Sequence, residues 1–208
     1  MARLLLVRHG ESAWNAEGRW QGWADPPLSP MGEAQAMALV QSLAGGGFQA
    51  VVTSDLQRAR RTGEVVAAGL GLPLEVETGL RERDVGRWEG LTAAEIEERW
   101  PGALAAWHSG ALASPPGGEP DRRLSDRALS VLRGLAARPA SALLVVTHGG
   151  LLGAVERRLG LPRARTPNLC GRWFHPVGGG LAAGEPFAVS VSPDGAGAPS
   201  LVAEGGGE

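Results

Sequence analysis

His9 stands in the run Arg8-His9-Gly10-Glu11, directly after the apolar segment Leu4-Leu5-Leu6-Val7. A neutral imidazole is a competent nucleophile toward phosphorus near neutral pH, because its reference pKa is about 6.5. The transition state of phosphoryl transfer spreads negative charge over the equatorial oxygens, so catalysis consists mostly of positioning and fixed positive charge. Arg8 adjoins the imidazole, and Arg58 opens the segment after Ser54-Asp55. Both offer planar guanidinium groups able to grip phosphate through several donors. A second histidine, His148, ends another apolar run, Leu143-Leu144-Val145-Val146-Thr147, and is followed by Gly149-Gly150. Backbone N–H groups at Gly10, and at a helix start after Gly149, would add donors without added charge. A lone histidine at a strand end is more often structural; two of them, one beside an arginine and a glycine, favour chemistry.

Those side chains need elements that bring them together. Leu4–Val7, Ala50–Val52 and Leu143–Val146 are short, continuous apolar runs, the pattern of strands buried on both faces. Each ends in small and polar residues and is followed by a helical pattern, the layout of a mainly parallel α/β sheet. Ligands of such sheets bind beyond the carboxyl ends of the strands, so Arg8, His9, Ser54 and His148 should converge on one edge. Helices are expected from Ser29-Pro30 to about Leu43, from about Leu56 to Ala68 with Gly69 as the stop, and from Thr92 to before Pro101. Two more are expected over 122–137, capped by Asp121, and over 151–159, stopped by Gly160. Short strands are expected at 74–77, 187–191 and 201–203, with a hairpin beyond Gly178. The Ala-, Gly- and Pro-rich stretch 101–120 reads as a covering segment.

The composition excludes several chemistries. All 20 basic residues are arginine, so no lysine Schiff base can form and no G-x-x-x-x-G-K-[ST] phosphate loop exists. Cys170 is the only cysteine, which rules out an internal disulfide and a thiolate metal cluster within one chain. The net charge of −2 points to neither nucleic acid nor a membrane surface. The apolar N-terminal run is broken at Arg8, too short for the core of a signal peptide, and the expectation is a cytoplasmic protein.

The blocks Arg8-His9-Gly10-Glu11-Ser12 with Asn15, Gln21-Gly22-Trp23 with Asp25, Ser54-Asp55-Leu56-Gln57-Arg58-Ala59 with Thr62, Leu80-Arg81-Glu82 with Trp88-Glu89-Gly90, and Thr147-His148-Gly149-Gly150 occur in this order. The series resembles the histidine phosphatase superfamily, the phosphoglycerate mutase-like enzymes, over about residues 3–160. The resemblance implies a three-layer α/β/α sandwich in a single domain over 1–204, a lid at about 91–121 and a disordered tail at 205–208. It implies that His9 becomes phosphohistidine, that His148 bonds the transferring phosphoryl group, and that Glu82 protonates the leaving oxygen and then activates water. Arg8 and Arg58 match phosphate-binding arginines; Asn15, Gln21, Gly22 and Gly149 match further contacts. No cofactor and no metal is implied. The implied partner is a small phosphorylated metabolite, with no nucleic acid and no membrane; a homodimer stays open.

Within that family the resemblance leans to the bacterial phosphatase branch, which hydrolyses small phosphomonoesters of the sugar-phosphate or phosphoglycerate type. Between Leu91 and Asp121 the only arginine is Arg99, where the mutases carry added basic residues, and Val85 stands where they carry an aromatic. Pro115-Pro116-Gly117-Gly118-Glu119 resembles a stretch of that branch, with Pro120 departing from its serine. A phosphoglycerate mutase is the alternative, and Arg122 with Arg123 as carboxylate contacts would favour it. A non-catalytic anion-binding module is the third reading. His108, His175 and Cys170 read as incidental.

Overall fold

The computed structural model describes residues 1–189. Strand β1 (Arg3–Arg8) leads through a one-turn helix, α1 (Ala13–Ala16), to α2 (Pro30–Leu43). Then come β2 (Phe48–Thr53), α3 (Gln57–Leu70) and β3 (Leu74–Val76). After two 3₁₀ turns the chain forms α4 (Ala93–Arg99), α5 (Ala103–Ser109), α6 (Asp121–Ala136), β4 (Ala142–Thr147) and α7 (Gly149–Arg158). A hairpin, β5 (Gly171–Val177) and β6 (Gly180–Phe187), follows.

The sheet runs β3-β2-β4-β1-β5-β6. The first four strands are parallel neighbours, and β5 and β6 are antiparallel. The apolar runs fix this arrangement, because each strand must bury both faces. Leu4, Leu6, Leu143 and Val145 point to one side, against Leu124, Ala128 and Leu132 of α6 and Leu151, Leu152 and Val155 of α7. Leu5, Val7, Leu144 and Val146 point to the other, against Leu39 and Leu43 of α2 and Ala59 and Val66 of α3. The result is the three-layer α/β/α sandwich expected.

Consecutive strands leave β1 for β2 on one side, and β4 for β5 on the other, so the crevice between β4 and β1 is the switch point. Arg8 pairs with Thr147. The next residues on the two strands, His9 and His148, are therefore neighbours across roughly the 4.8 Å spacing of a sheet.

A third apolar cluster lies apart from the sheet. Val85, Trp88, Leu91, Ile96 and Trp107 are buried in it, and Trp88 meets Trp20 and Trp107 edge-on at 5.2 and 6.2 Å between centroids. It ties α4 and α5 together and roofs the carboxyl end of the sheet with tryptophan.

Several boundaries differ from the sequence reading. Gly71, at φ +65°, closes α3 rather than Gly69, which lies inside the helix against Val40. Pro120, not Asp121, is the N-cap of α6 and caps it with no side chain; Asp121 turns its carboxylate to Arg83 and Arg157 instead. α7 begins at Gly149, two residues early, with His148 as its N-cap. α5 occupies part of the stretch read as a covering segment, for which no helix was expected, between left-handed Gly102 and Gly110. The hairpin starts at Gly171, before Gly178, and its second strand ends at Phe187, where a strand over 187–191 was expected. β5 escaped because it is mixed: Phe174 is buried and Trp173 stacks on Phe48 at 5.6 Å, while His175 and Pro176 are half-exposed and Val177 is exposed. Residues 190–191, the strand expected at 201–203 and the tail expected at 205–208 lie outside the described residues.

Leu144 is fully buried at the middle of β4. Leu144→Ala should cost about 2–5 kcal/mol of stability in urea unfolding. A cost below about 1 kcal/mol would mean that the sheet is not the packing centre described.

Candidate active site

The turn after β1 carries the central group. His9 is 2% exposed, and its backbone is fixed from two sides. Its N–H donates to Thr147 O at 2.9 Å, and Asn168 Nδ2 donates to its carbonyl at 2.8 Å. The imidazole Nδ1 lies 2.6 Å from Gly10 O. A carbonyl only accepts, so Nδ1 carries the proton and the lone pair sits on Nε2. That Nε2 accepts from Arg58 Nε at 3.3 Å. The free lone pair is thus aimed at the guanidinium best placed to hold a phosphate.

Arg58 is 1% exposed, an unusual condition for arginine at the start of a helix. Its Nη1 and Nη2 donate to Ala24 O and Gly22 O, both at 2.8 Å. Burial pulls its pKa down to about 10, a shift that the carboxylates of Glu82 and Asp25 partly offset. Asp25 also caps α3 from outside the helix, accepting from Gln57 N at 2.6 Å. Gly22 needs to be glycine: it has φ +55°, and a Cβ there would come within 2.5 Å of the Glu89 carboxylate.

Arg8 donates through Nη1 to Thr166 O at 2.8 Å, while its buried Nε has no partner among the described residues. Burial lowers its pKa, with Glu82 opposing. His148 is completely buried, with its ring centroid 5.1 Å from that of His9 and no partner on either nitrogen among the described residues. Both histidines have pKa values pushed well below the usual range. Burial is the main cause and Arg58 the next for each, so both rings are neutral.

Glu82 reaches the same cavity from the loop after β3. Its Oε1 accepts from Arg83 N at 2.7 Å and its Oε2 from Gly150 N at 2.8 Å. A Cβ on Gly150 would overlap this carboxylate, which explains the second glycine after His148. The Glu82 carbonyl accepts from Arg127 Nη2 at 2.7 Å and Trp23 Nε1 at 2.8 Å. Thr147 Oγ1 donates to Leu80 O at 2.9 Å, tying the loop to the end of β4.

A cavity of about 590 Å³ joins these groups. Arg8, His9, Asn15, Gln21, Gly22, Arg58, Glu82 and Gly149 all line it. His148 does not line it and touches the site through its position beside His9. Asn15 and Gln21 are oriented through Ser12: Asn15 Oδ1 accepts from Ser12 N at 3.2 Å, and Gln21 Oε1 from Ser12 Oγ at 2.7 Å. Arg122 and Arg123 are not in the cavity; both are exposed on α6, and Arg122 faces Asp126 at 3.6 Å. His108, read as incidental, lines it beside Trp107.

Sequence reasoning missed Arg127. Besides holding Glu82, its guanidinium donates to Gly79 O and Arg81 O and pairs with the buried Glu119 at 2.8 Å. The available signal was an arginine beside the buried stripe of Leu124, Ala128 and Leu132. The arginines at 163 and 165, which also line the cavity, had no such signal.

A switch-point cavity with a neutral histidine, its free nitrogen against a buried arginine and a carboxylate opposite, defines a phosphoryl-transfer enzyme of the histidine type. The chain belongs to the histidine phosphatase superfamily (branch 1), whose family model matches residues 4–170. It is 36% identical over 201 residues to glucosyl-3-phosphoglycerate phosphatase of Mycolicibacterium vanbaalenii, covering 90% of this chain and 89% of that protein. It is 40% identical over 168 residues to the Cronobacter sakazakii protein named Probable phosphoglycerate mutase GpmB, covering 78% and 77%. Among solved structures it is similar to mycobacterial glucosyl-3-phosphoglycerate phosphatase in complex with VO3. There the TM-score is 0.77 and the identity 33%, over 84% of this chain and 92% of that one.

The neutral histidines make stability depend on pH. Below pH about 6.5 the unfolded chain binds protons at both sites that the folded chain does not, so stability falls as the pH drops. The loss should approach about 1.4 kcal/mol per pH unit for each ring between pH 6 and 5. Asp55, held low by hydrogen bonds from Arg81, titrates below this window. Urea unfolding at several pH values checks the slope, which His148→Gln should reduce; a flat profile would contradict buried neutral rings.

Proposed function

We propose that the protein hydrolyses small phosphomonoesters, of the sugar-phosphate or phosphoglycerate type, through a phosphohistidine on His9. The observation that carries this reading is the lone pair of His9 Nε2, fixed by the Nδ1 contact to Gly10 and facing Arg58. Arg8 and Arg58 hold the phosphoryl oxygens, and a phosphate dianion meets two buried cations. Nε2 attacks phosphorus; the N–P bond forms as the ester O–P bond breaks. Glu82 enters protonated and gives its proton to the departing oxygen, releasing an alcohol. Its carboxylate then takes a proton from water, whose oxygen attacks phosphorus. The N–P bond breaks, inorganic phosphate leaves, and His9 and Glu82 return to their starting forms. His148, neutral and beside His9, supplies a hydrogen bond to the transferring group.

Net hydrolysis is favoured over transfer by two supports. Similarity to the glucosyl-3-phosphoglycerate phosphatase of Mycolicibacterium vanbaalenii spans nine-tenths of the chain. The lid segment, at about 91–121, brings aromatic and apolar groups rather than new cations to the cavity. Glucosyl-3-phosphoglycerate is accordingly the first substrate to try. The mutase reading keeps one specific support, the 40% identity to the GpmB protein.

Rapid quench with substrate should trap acid-labile phosphate on the wild-type protein and none on His9→Ala. Incubation with 3-phosphoglycerate should release phosphate; sustained 2-phosphoglycerate with little free phosphate would establish the mutase instead. For Glu82→Gln, kcat on an alkyl phosphate should fall on the order of 10²–10⁴-fold. Compared as kcat/KM, which reports only the steps through phosphorylation of His9, the loss should be much smaller with p-nitrophenyl phosphate, whose leaving group needs no proton, and equal losses there would remove Glu82 from the acid role.

A further inference from the structure

Seven of the residues lining the cavity are arginine, and one, Glu82, is a carboxylate. Two of the seven, Arg8 and Arg58, surround His9. Three more are matched by acids nearby. Arg19 pairs with Glu17 at 2.9 Å and Glu95 at 3.1 Å, while Arg83 and Arg157 share Asp121. Arg163 and Arg165 remain, and among the described residues neither forms an ion pair with a carboxylate.

Both lie on the connection between α7 and β5, which runs across the cavity mouth from α5 to Arg8. At one end Arg163 Nη1 donates to His108 O at 3.0 Å and to Trp107 O at 3.3 Å, with the guanidinium 5.8 Å from the Trp107 ring centroid. At the other, Thr166 O accepts from Arg8 Nη1 at 2.8 Å. Arg165 stands between these anchors, exposed in the cavity wall. Its charge is close enough to add to the downward push on the pKa of Arg8, behind burial. Bringing a cation this close to a buried arginine is unfavourable in the empty site, and an anion between them reverses the sign.

We infer that Arg163 and Arg165 form a second anion subsite, which selects phosphomonoesters bearing another anionic group, a carboxylate or a second phosphate, a few bonds from the ester. The inference rests on the phosphatase reading above for the location of the first phosphate. The fork of a guanidinium suits either anion in bidentate fashion. His108, exposed beside the buried Trp107, forms the wall on the Arg163 side, a flat surface against which a carbon skeleton can lie. The subsite would let a substrate with a second anionic group bind without basic residues from the segment over 91–121 and without Arg122 and Arg123, which lie outside the cavity.

Binding to the His9→Ala protein tests this without turnover. Titration calorimetry with 3-phosphoglycerate and glycerol 3-phosphate compares two ligands with the same carbon skeleton, differing in carboxylate against hydroxymethyl. Fructose 1,6-bisphosphate against fructose 6-phosphate makes the same comparison for a second phosphate. In at least one pair the ligand with the additional anionic group should bind about tenfold more tightly, the scale of a charge-assisted hydrogen bond. Adding Arg165→Gln should bring that ratio to within about threefold of one, and Arg165→Lys should retain part of it. Ratios near one in both pairs, or a ratio that Arg165→Gln leaves unchanged, would overturn the subsite. Failure of the phosphatase reading shows separately, as absence of released phosphate from the wild-type protein with all four compounds.

Discussion

The parallel pairing of β1 with β4 is the constraint on which the site depends. Because Arg8 lies opposite Thr147, the two chains turn out of the sheet at the same level. His9 and His148 then face one another with a ring separation of 5.1 Å. A shift of one residue in this register would send one imidazole to the opposite face, among the leucines of a helix layer. The polar ends of the strands are held as firmly as the apolar middles: His9 N bonds to Thr147 O and Ser54 N to Val146 O, at 2.9 and 3.1 Å. Three strands therefore deliver their terminal residues to one place through backbone bonds alone.

What gathers there is an unbalanced electrostatic arrangement. Arg8 and Arg58 are buried beside two histidines that burial and their charges keep neutral. Arg8 Nε and both nitrogens of His148 lack partners among the described residues. Buried polar atoms without partners are costly, on the order of 1–3 kcal/mol each. A phosphoryl group would supply acceptors for the Arg8 Nε–H and the single N–H of neutral His148, and the negative charge the arginines lack. On the proposed reading, the neutrality that would let His9 act as nucleophile is enforced first by burial and then by the cations that would bind its target.

How much of this was legible follows from where the information resides. β1, β2 and β4 announced themselves because burial on both faces demands unbroken apolar runs, and the groups at their ends could be placed before any coordinates. Arg58 was identifiable by its block, yet its near-complete burial was not, since a helix-start arginine normally faces water. β5 was hidden by its composition: it lies inside the sheet between β1 and β6, yet it is mostly half-buried, and glycine, histidine and proline interrupt the pattern. α5 was hidden because its Ala-rich segment has no cap side chain and is bounded only by two glycines. Arg163 and Arg165 line the cavity, while Arg122 and Arg123, considered as carboxylate contacts under the mutase alternative, lie outside it. Proximity in sequence to the lid suggested them, whereas the connection over 161–168 reaches the cavity only through the closure of β5 against β1.

Glu82 shows why motifs identify chemistry more readily than they identify its support. Its carboxylate is held by two backbone N–H groups, one its neighbour's and one at the start of α7. Its carbonyl is held by Trp23 from the loop before α2 and by Arg127 from α6. Arg127 is in turn fixed by Glu119, which belongs to the segment after α5. The position of one acid is therefore shared among five stretches of chain that pack on different sides of the sheet. A charge cluster of the kind Arg81-Glu82-Arg83-Asp84 would ordinarily be solvated surface. Here each member has a separate partner: Arg81 takes Asp55, Arg83 takes Asp121, and Asp84 caps the turn at Gly86. With its neighbours so committed, Glu82 is the one carboxylate in the run left to face the cavity and His9.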